Sequence, residues 1–407
     1  MAAISRTASR ASRLLQGSRP LIQPHAQRPK GIIDQLTGRE VAATFSELGR
    51  ELPNVDLTQA FDEADIEALK QASDDAGGIL VFTNQRPEMS IHDHVRFGQQ
   101  MADADNTIIE PHAVAAGHPD APEVLEIVRE PTANVVFGEN WHSDNSFMSQ
   151  TCSYSILRGA VVPRLGANDT LFSSSEAAYD ALSPTMQRLL LDLNAYHSAN
   201  KAYGEGHPGN SRAAMVHTEG GGNTMTMRED APILESDVLQ PVVTMHPRTG
   251  RLGLFASPTF TTRIDGMSAE ESRSILRLVT LALTRTPTPH PHPRPRPHPH
   301  PGMSAEESRS ILRFIYEWCA RPEFCTRVSW MPNQVVMWDN RSLGHKGLAD
   351  DVSELRIVQR VSIRGSSPMN HRGEQFSLTH KVAAAQAGLF DFLPESSAPR
   401  QAAAKAR

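Results

Sequence analysis

Apolar residues recur along this chain at two periods, and the change of period separates helices from strands. In AFDEADIEALKQASDDA (60–76), Phe61, Ile66 and Leu69 fall on one helical face, which predicts a helix with those three turned inward. GILVFTNQ (78–85) follows as a short apolar run and predicts a strand. Ser183 to Leu193 predicts another helix, with Ser183 as N-cap and Pro184 at the first helical position, where a backbone N–H has no helical partner anyway. Between Leu252 and Ile264, and from Arg327 to Arg364, short β-type runs alternate with turns. Within the latter, Val335–Trp338 predicts one strand and Leu355–Ile363 a second. In the second, Leu355, Ile357, Val361 and Ile363 take one face, with Gln359 the exception, and Arg356, Val358, Arg360 and Ser362 take the other. The whole predicts a β core with helices laid around it, α+β in class, rather than a doubly wound βαβ series.

The pattern is interrupted once. GMSAEESRSILR occurs at Gly266–Arg277 and again at Gly302–Arg313. Each copy opens like a helix, with the S-x-x-E spacing of a capping box at Ser268/Glu271 and Ser304/Glu307. After the second copy Ile311, Phe314, Ile315 and Trp318 form an i, i+3, i+4, i+7 stripe, repeated more weakly after the first by Ile275, Leu278, Val279 and Ala282. Between them lies TPTPHPHPRPRPHPHPG (286–302), whose eight alternating prolines predict extended polyproline-like chain. Its four histidines, His290, His292, His298 and His300, invite a metal-binding reading. However, such a segment has no means of holding a fixed coordination geometry. Without residues 266–301, TTRID runs directly into GMSAEESRSILRFIYEWC, and the flanks read as one strand, turn and helix. The segment is expected to be a duplication-born insertion or a translated intron; a metal-storage or partner-docking arm is the competing reading.

Composition narrows the class. A chain of 407 residues with 39% hydrophobic and 21% charged content reads as a soluble globular protein. A net charge of -6 without a basic stripe argues against nucleic acid, and no apolar run reaches the roughly 18 residues of a membrane helix. Cys152, Cys319 and Cys325 are too few for a disulfide framework and lack zinc-site spacing. The N-terminus is Arg-rich, Ser-rich and free of acids before Asp34, with Arg6, Arg10 and Arg13 at helical spacing. That is the pattern of a transit peptide, so a mitochondrial protein is expected, with plastid or cytoplasmic location the alternatives. The expected organisation is a leader or disordered segment over 1–35, one domain over 36–394 interrupted at 266–301, and a disordered tail over 395–407. Assembly into a homo-oligomer is left open.

The sharpest chemical candidate is NWHSDNSF (140–147). Residues i and i+2 of a strand share a face, so His142 and Asp144 can offer an imidazole nitrogen and a carboxylate oxygen to one ion. Two histidines and a carboxylate on one face of an octahedral metal leave open positions, as non-haem Fe(II) oxygenases need. The pair alone is weak: with 17 His and 46 acids, roughly two H-x-[DE] matches arise from composition. His118-Pro119-Asp120 and His217-Thr218-Glu219 also match, in Gly/Pro-rich sequence. Downstream, a turn carrying His345 precedes the strand on which Arg356 and Arg360 share a face, a combination suited to gripping carboxylates.

Taken in order, VDLTQAFDEADIEAL, ILVFTNQ, WHSDNSF, NDTLFSSSEAAYDALSP, HPRTGRLGLFASPTFTTRI, RPEF, WMPNQVVMWDNRSLGH and RIVQR resemble the taurine/phenoxyacetate (TauD/TfdA-type) family of Fe(II)- and 2-oxoglutarate-dependent dioxygenases. The resemblance runs from about Val55 to Gly365, apart from the insertion. It implies a double-stranded β-helix, a cupin-like jelly roll. It makes His142, Asp144 and His345 the iron ligands and catalytic set, with Arg356 and Thr170 on the distal carboxylate of 2-oxoglutarate. Arg360 would meet an anionic substrate group or the metal-bound end of the cosubstrate. Asn140, Trp141, Phe147 and Glu110 would line the substrate pocket. The implied cofactor is Fe(II), with 2-oxoglutarate and O2 as cosubstrates, ascorbate as a supporting reductant in vitro, and succinate and CO2 as products. An intact Asp144 argues for hydroxylation, because halogenating relatives lack that carboxylate. Two departures bear on substrate. Taurine enzymes place asparagine where Gly138 stands, and a His and Tyr where Thr107 and Glu110 stand. A small carboxylate or sulfonate other than taurine is therefore expected; the alternative is a catalytically silent β-barrel binding protein of the same fold. The spacing from His142 to His345 is 203 residues, and falls to 167 without the 36-residue segment, closer to the family's interval.

Removing residues 266–301 is expected to leave iron-dependent turnover of 2-oxoglutarate unchanged. Loss of turnover in a folded deletion variant, read by far-UV circular dichroism and succinate release, would assign the tract a working role.

Overall fold

The computed structural model describes residues 19–20, 48–53, 55–85, 88–102, 109, 111–131, 137–163, 167–203, 237–265, 305–351 and 353–375. The remainder of the expected leader, the first repeat copy, the His-Pro tract and the tail at 395–407 lie outside the described residues. In chain order the first half gives β1 (Arg19–Pro20), β2 (Arg50–Glu51), α1 (Glu63–Asp75), β3 (Ile79–Phe82), α2 (Ile91–Met101), β4 (Leu125–Arg129), β5 (Cys152–Val161) and β6 (Thr170–Ser174). Then come α3 (Ser175–Asp180), α4 (Pro184–Leu191), β7 (Asn194–His197), α5 (Asn200–Tyr203), β8 (Val238–Pro241), β9 (Val243–Met245), β10 (Leu252–Leu254) and β11 (Thr261–Ile264). The chain continues through α6 (Ala305–Cys319), β12 (Cys325–Val328), β13 (Val335–Asp339), β14 (Leu343–Gly347) and β15 (Arg356–Arg364).

Local chemistry sets the ends of the predicted helices. Asp62 accepts the Asp65 amide while Asp65 accepts the Asp62 amide, so α1 begins two residues after Phe61. Ser183 caps α4 through the Met186 amide, with Pro184 in its first turn. The second repeat copy does enter a helix, α6, whose Ile311, Leu312 and Ile315 are buried. α2 carries a capping box of its own at Ser90 and Asp93.

The largest sheet runs β1-β2-β3-β13-β5-β15-β4, with only β2 and β3 parallel. Its two faces do different work. Leu80, Phe82, Tyr154, Ile156, Val335, Met337, Val361 and Ile363 pack against α1 and α2, through Ile66, Leu69, Phe97 and Met101. The alternate positions Ile79, Val81, Leu157, Val336, Trp338 and Val358 face Phe172, Val328 and Leu343 of a second, three-stranded sheet of order β12-β6-β14. Helices thus cover one face and a β layer the other, an α+β arrangement built on period-two alternation. The face of β15 that carries Val358 also carries Arg356 and Arg360, so the strand delivers both arginines between the sheets. Every position of β15 from Val358 onward is buried, which fits a strand covered on both faces.

The helix-side core is anchored by Phe97, fully buried and edge-on to Phe61 and Phe82, each at 5.8 Å between ring centroids. Phe97→Ala is expected to lower unfolding free energy by about 3–5 kcal/mol in urea titration. A loss below about 1 kcal/mol would contradict this packing.

Candidate metal and anion site

Two backbone hydrogen bonds bring the site's halves together. The His142 amide donates to the His345 carbonyl at 3.0 Å, and the His345 amide to the His142 carbonyl at 2.8 Å. This antiparallel bridge is held from behind by β14, where His345 lies opposite Phe172 of β6. Gly138 reinforces it: its carbonyl accepts the Gly347 amide at 2.8 Å, and its left-handed φ of 76° suits glycine. A Cβ at Gly138 would lie 3.3 Å from His142 Cε1. The two imidazoles are 4.2 Å apart between centroids, and Asp144 comes to the same face as the i, i+2 spacing predicts. His142 Nε2 is 3.7 Å from Asp144 Oδ1, and His345 Nε2 is 3.9 Å from Asp144 Oδ2. One ligand atom from each residue lies within 4.8 Å of the others, and all three residues are buried.

The protonation states suit a divalent metal. Burial first, and then Arg360, lower the pKa of His142, although Asp144 pulls the other way; His345 falls further below the ordinary imidazole value, chiefly through burial. His142 Nδ1–H donates to the Asn140 carbonyl at 2.8 Å, which leaves a lone pair on Nε2. Burial opposes the Asp144 charge, but Arg360, His345, His142 and the Ser155 hydroxyl outweigh it and hold the carboxyl well below its usual range. Two neutral imidazoles and an ionised carboxylate are the states that ligation requires. Arg360 Nη1 meets Asp144 Oδ1 at 2.5 Å, and both side chains are buried. Deleting either charge would leave the other uncompensated, typically worth about 3–5 kcal/mol.

A second cluster has different chemistry. Asp74, His246 and Asp339 also lie close enough to share an ion. There, however, His246 Nδ1 accepts the Arg248 and Thr249 amides, so Nε2–H donates to Asp339 Oδ2 at 3.0 Å. Arg341 holds both Asp339 oxygens and Arg248 holds Asp74. With its donors committed, that cluster is a structural tie. His118 is likewise used locally: its Nδ1 accepts the Asp120 amide. His217-Thr218-Glu219 lies outside the described residues.

Arg356 is half-buried, with its Nε enclosed and without a hydrogen-bond partner. Its Cζ stands 5.8 Å from the Trp330 ring centroid, and Trp330 Nε1 donates to Thr170 Oγ1 at 3.1 Å. Thr170 and Arg356 are thus assembled around one indole. Burial, with Arg129 beside it, brings the Arg356 pKa down to about 10. Arg129 is its cross-strand partner and ties this corner together, donating to Asn168 Oδ1 and to the carbonyls of Asp351 and Glu354. Asp169, whose charge acts on Arg356, is already paired with Arg327 and Ser329. The corner is cationic and suits a carboxylate.

The expected substrate residues divide. Phe147 is buried against Phe260 at 4.8 Å, and Phe260 meets the His142 ring edge-on at 6.1 Å. Tyr203 completes this aromatic wall, 6.0 Å from both phenylalanines. Trp141 turns its ring toward Lys346, 5.6 Å away. The Asn140 side chain is exposed, and the residue acts through its carbonyl on His142. Glu110 lies outside the described residues. Sequence reasoning missed Ser155, Trp330, Arg129, Phe260 and Tyr203. The alternating serines of CSYSILRGAV were the available signal for Ser155: hydroxyls in a strand otherwise apolar. A cleft of about 480 Å³, open to solvent, also borders Trp141 and His142, with Ser146, His197, Phe255 and Tyr316. Its walls carry no arginine or lysine, so it is a poor carboxylate site.

Comparisons with known proteins agree with this geometry. The profile of the taurine catabolism dioxygenase TauD, TfdA family matches residues 36–362. A Schizosaccharomyces pombe protein, provisionally named as an alpha-ketoglutarate-dependent sulfonate dioxygenase, is 30% identical over 229 residues, which are 56% of this chain and 44% of that protein. The match therefore spans less than half of that relative. An alkylsulfatase of Acinetobacter baylyi is 24% identical over 331 residues, 81% of this chain and 84% of that one. Among solved structures, a taurine dioxygenase from Burkholderia xenovorans has the same fold, with a TM-score of 0.55 at 24% identity over 84% of this chain and 96% of that one.

Proposed function

The chain belongs to the TauD/TfdA family of Fe(II)- and 2-oxoglutarate-dependent dioxygenases, and on that premise we propose that it hydroxylates a small organic anion, a sulfonate, sulfate ester or carboxylate. One observation carries the reading: two chain segments 203 residues apart converge on a His-Asp-His set beside an arginine pair on a single buried strand. In this reading the described sheets belong to a double-stranded β-helix. One oxygenase domain covers residues 36–394, interrupted at 266–301.

The donor set fits iron: neutral imidazole and carboxylate ligands on one face, enclosed by protein. His142, Asp144 and His345 would hold the ion. Fe(II) with 2-oxoglutarate supplies the oxidising power, taking O2 to hydroxylated product, succinate and CO2. The remaining work is done by the protein. Arg356, pre-oriented over Trp330, grips the distal carboxylate of 2-oxoglutarate with the Thr170 hydroxyl beside it. Arg360 fixes the substrate's anionic end near Asp144. Phe147, Phe260 and Tyr203 exclude water and hold the apolar part of the substrate against the metal-facing side of His142. The sulfonate and alkyl sulfate names of the relatives support an anion at Arg360.

The test is a screen of alkyl sulfates, sulfonates and small carboxylates with Fe(II), 2-oxoglutarate, O2 and ascorbate. Product is read by mass spectrometry and succinate release by enzymatic assay. At least one anion is expected to gain one oxygen or fragment oxidatively, with succinate formed in equal amount. Arg356→Met should raise the KM for 2-oxoglutarate by about 10- to 100-fold, as for loss of a charge-assisted contact worth about 1.5–3 kcal/mol. Succinate release that no panel member stimulates, with Arg356→Met unchanged, would contradict the proposal.

A further inference from the structure

Asp144 is held from two sides by a closed ring of hydrogen bonds. Its amide donates to Asn340 Oδ1 at 3.1 Å. Asn340 Nδ2 donates to Ser155 Oγ at 2.9 Å. Ser155 Oγ–H donates to Asp144 Oδ2 at 2.6 Å. The directions are forced. Asn340's amide nitrogen can only donate, so the Ser155 oxygen is an acceptor on that side and its single hydrogen is free for the carboxylate. The ring therefore fixes both the backbone and the carboxylate plane of one residue. Its members come from β5 and the end of β13, neighbours in the main sheet, and Ser155 and Asn340 are buried.

The ring also reaches a histidine. Trp338 Nε1–H shares the Asn340 Oδ1 acceptor at 3.1 Å, and the Trp338 ring packs 4.7 Å from His345. Asn340 itself is set by its amide, which donates to the Ser153 carbonyl at 2.8 Å. Arg360 supplies the other restraint, on Oδ1. Asp144 thus has each oxygen held by a different partner, and its orientation is decided before any ion arrives.

We propose that Ser155 and Asn340 are positioning residues that preorganise Asp144 for metal binding, acting as one unit. The proposal rests on His142, Asp144 and His345 being the ligand set. Partners of this kind orient a metal ligand and tune its basicity, and their loss typically weakens metal affinity about 10- to 100-fold. Because the three bonds close on one residue, breaking either link should release the same restraint, so the two losses should not add.

The experiment is equilibrium titration of the metal-free full chain with Mn(II), with free ion read by electron paramagnetic resonance. Wild type is expected to bind one ion, and His345→Ala to bind none. Ser155→Ala removes the hydroxyl while Asn340 Nδ2 keeps contacts with Cys152 Sγ and the Ser153 carbonyl. Asn340→Asp keeps the shape but cannot donate, which turns the Ser155 hydrogen away from Asp144. Each should weaken Mn(II) binding about 10- to 100-fold. The double variant should fall no further than the weaker single one. Ser153→Ala, a buried serine of the same strand whose hydroxyl bonds the Ile363 carbonyl, should bind like wild type. Thermal unfolding of each variant checks the fold, and Asn340→Asp carries the test if Ser155→Ala does not fold. Wild-type affinity in both Ser155→Ala and Asn340→Asp, or an equal loss in Ser153→Ala, would overturn the positioning role. No binding by wild type would instead overturn the ligand assignment.

Discussion

The antiparallel bridge between His142 and His345 is the constraint on which the rest of the site depends. Two hydrogen bonds, at 2.8 and 3.0 Å, close a loop of 203 residues and set the two imidazoles side by side, 4.2 Å apart and tilted by 45°. Bridges of this length are entropically costly to close, and they persist only when the flanking structure is already in place. β14 supplies that structure by pairing with β6, and β6 begins at Thr170. The same short sheet therefore holds His345 and the hydroxyl expected beside the cosubstrate. The His-Asp-His set and the Arg356–Thr170 corner are one mechanical unit.

The second organising feature is the burial of charge. Arg356, Arg360 and Arg129 come from adjacent strands of the main sheet, and Asp144 lies close by. Burial on this scale is tolerated because each charge is paired, hydrogen-bonded or stacked: Arg360 on Asp144, Arg129 on three oxygens, Arg356 over Trp330. Among these three, only Arg360 has a carboxylate bonded to it; Arg129 is held by an amide and two carbonyl oxygens, and Arg356 is stacked over Trp330. That asymmetry is the physical ground for placing an anionic cosubstrate there and for distinguishing its role from that of Arg360.

Much of this was legible in the sequence, for specific reasons. The period-two pattern of 355–363 put Arg356 and Arg360 on one face, and the structure keeps them there. The i, i+2 spacing of His142 and Asp144 gave their shared face; the choice among three matching motifs came from the Gly/Pro-rich setting of the other two and from the family resemblance, which also named His345. What alternation concealed was β5, buried on both faces and marked only weakly, by the serine pair Ser153 and Ser155. Ser155 was hidden with it. Trp141 borders the open cleft beside His142, whereas Asn140 acts through its carbonyl on His142 with its side chain exposed, a division that adjacency in sequence does not encode. Tyr203 and Phe260 reach the wall from α5 and the turn before β11, connections that no local pattern encodes.

In the proposed function one site holds both ion and cosubstrate, each dependent on the other. Anaerobic equilibrium dialysis of the full chain against Fe(II) and radiolabelled 2-oxoglutarate tests it directly. One Fe(II) and one 2-oxoglutarate are expected per chain, with 2-oxoglutarate retention falling sharply when Fe(II) is omitted. Retention of 2-oxoglutarate that ignores Fe(II), or no Fe(II) bound at all, would contradict it.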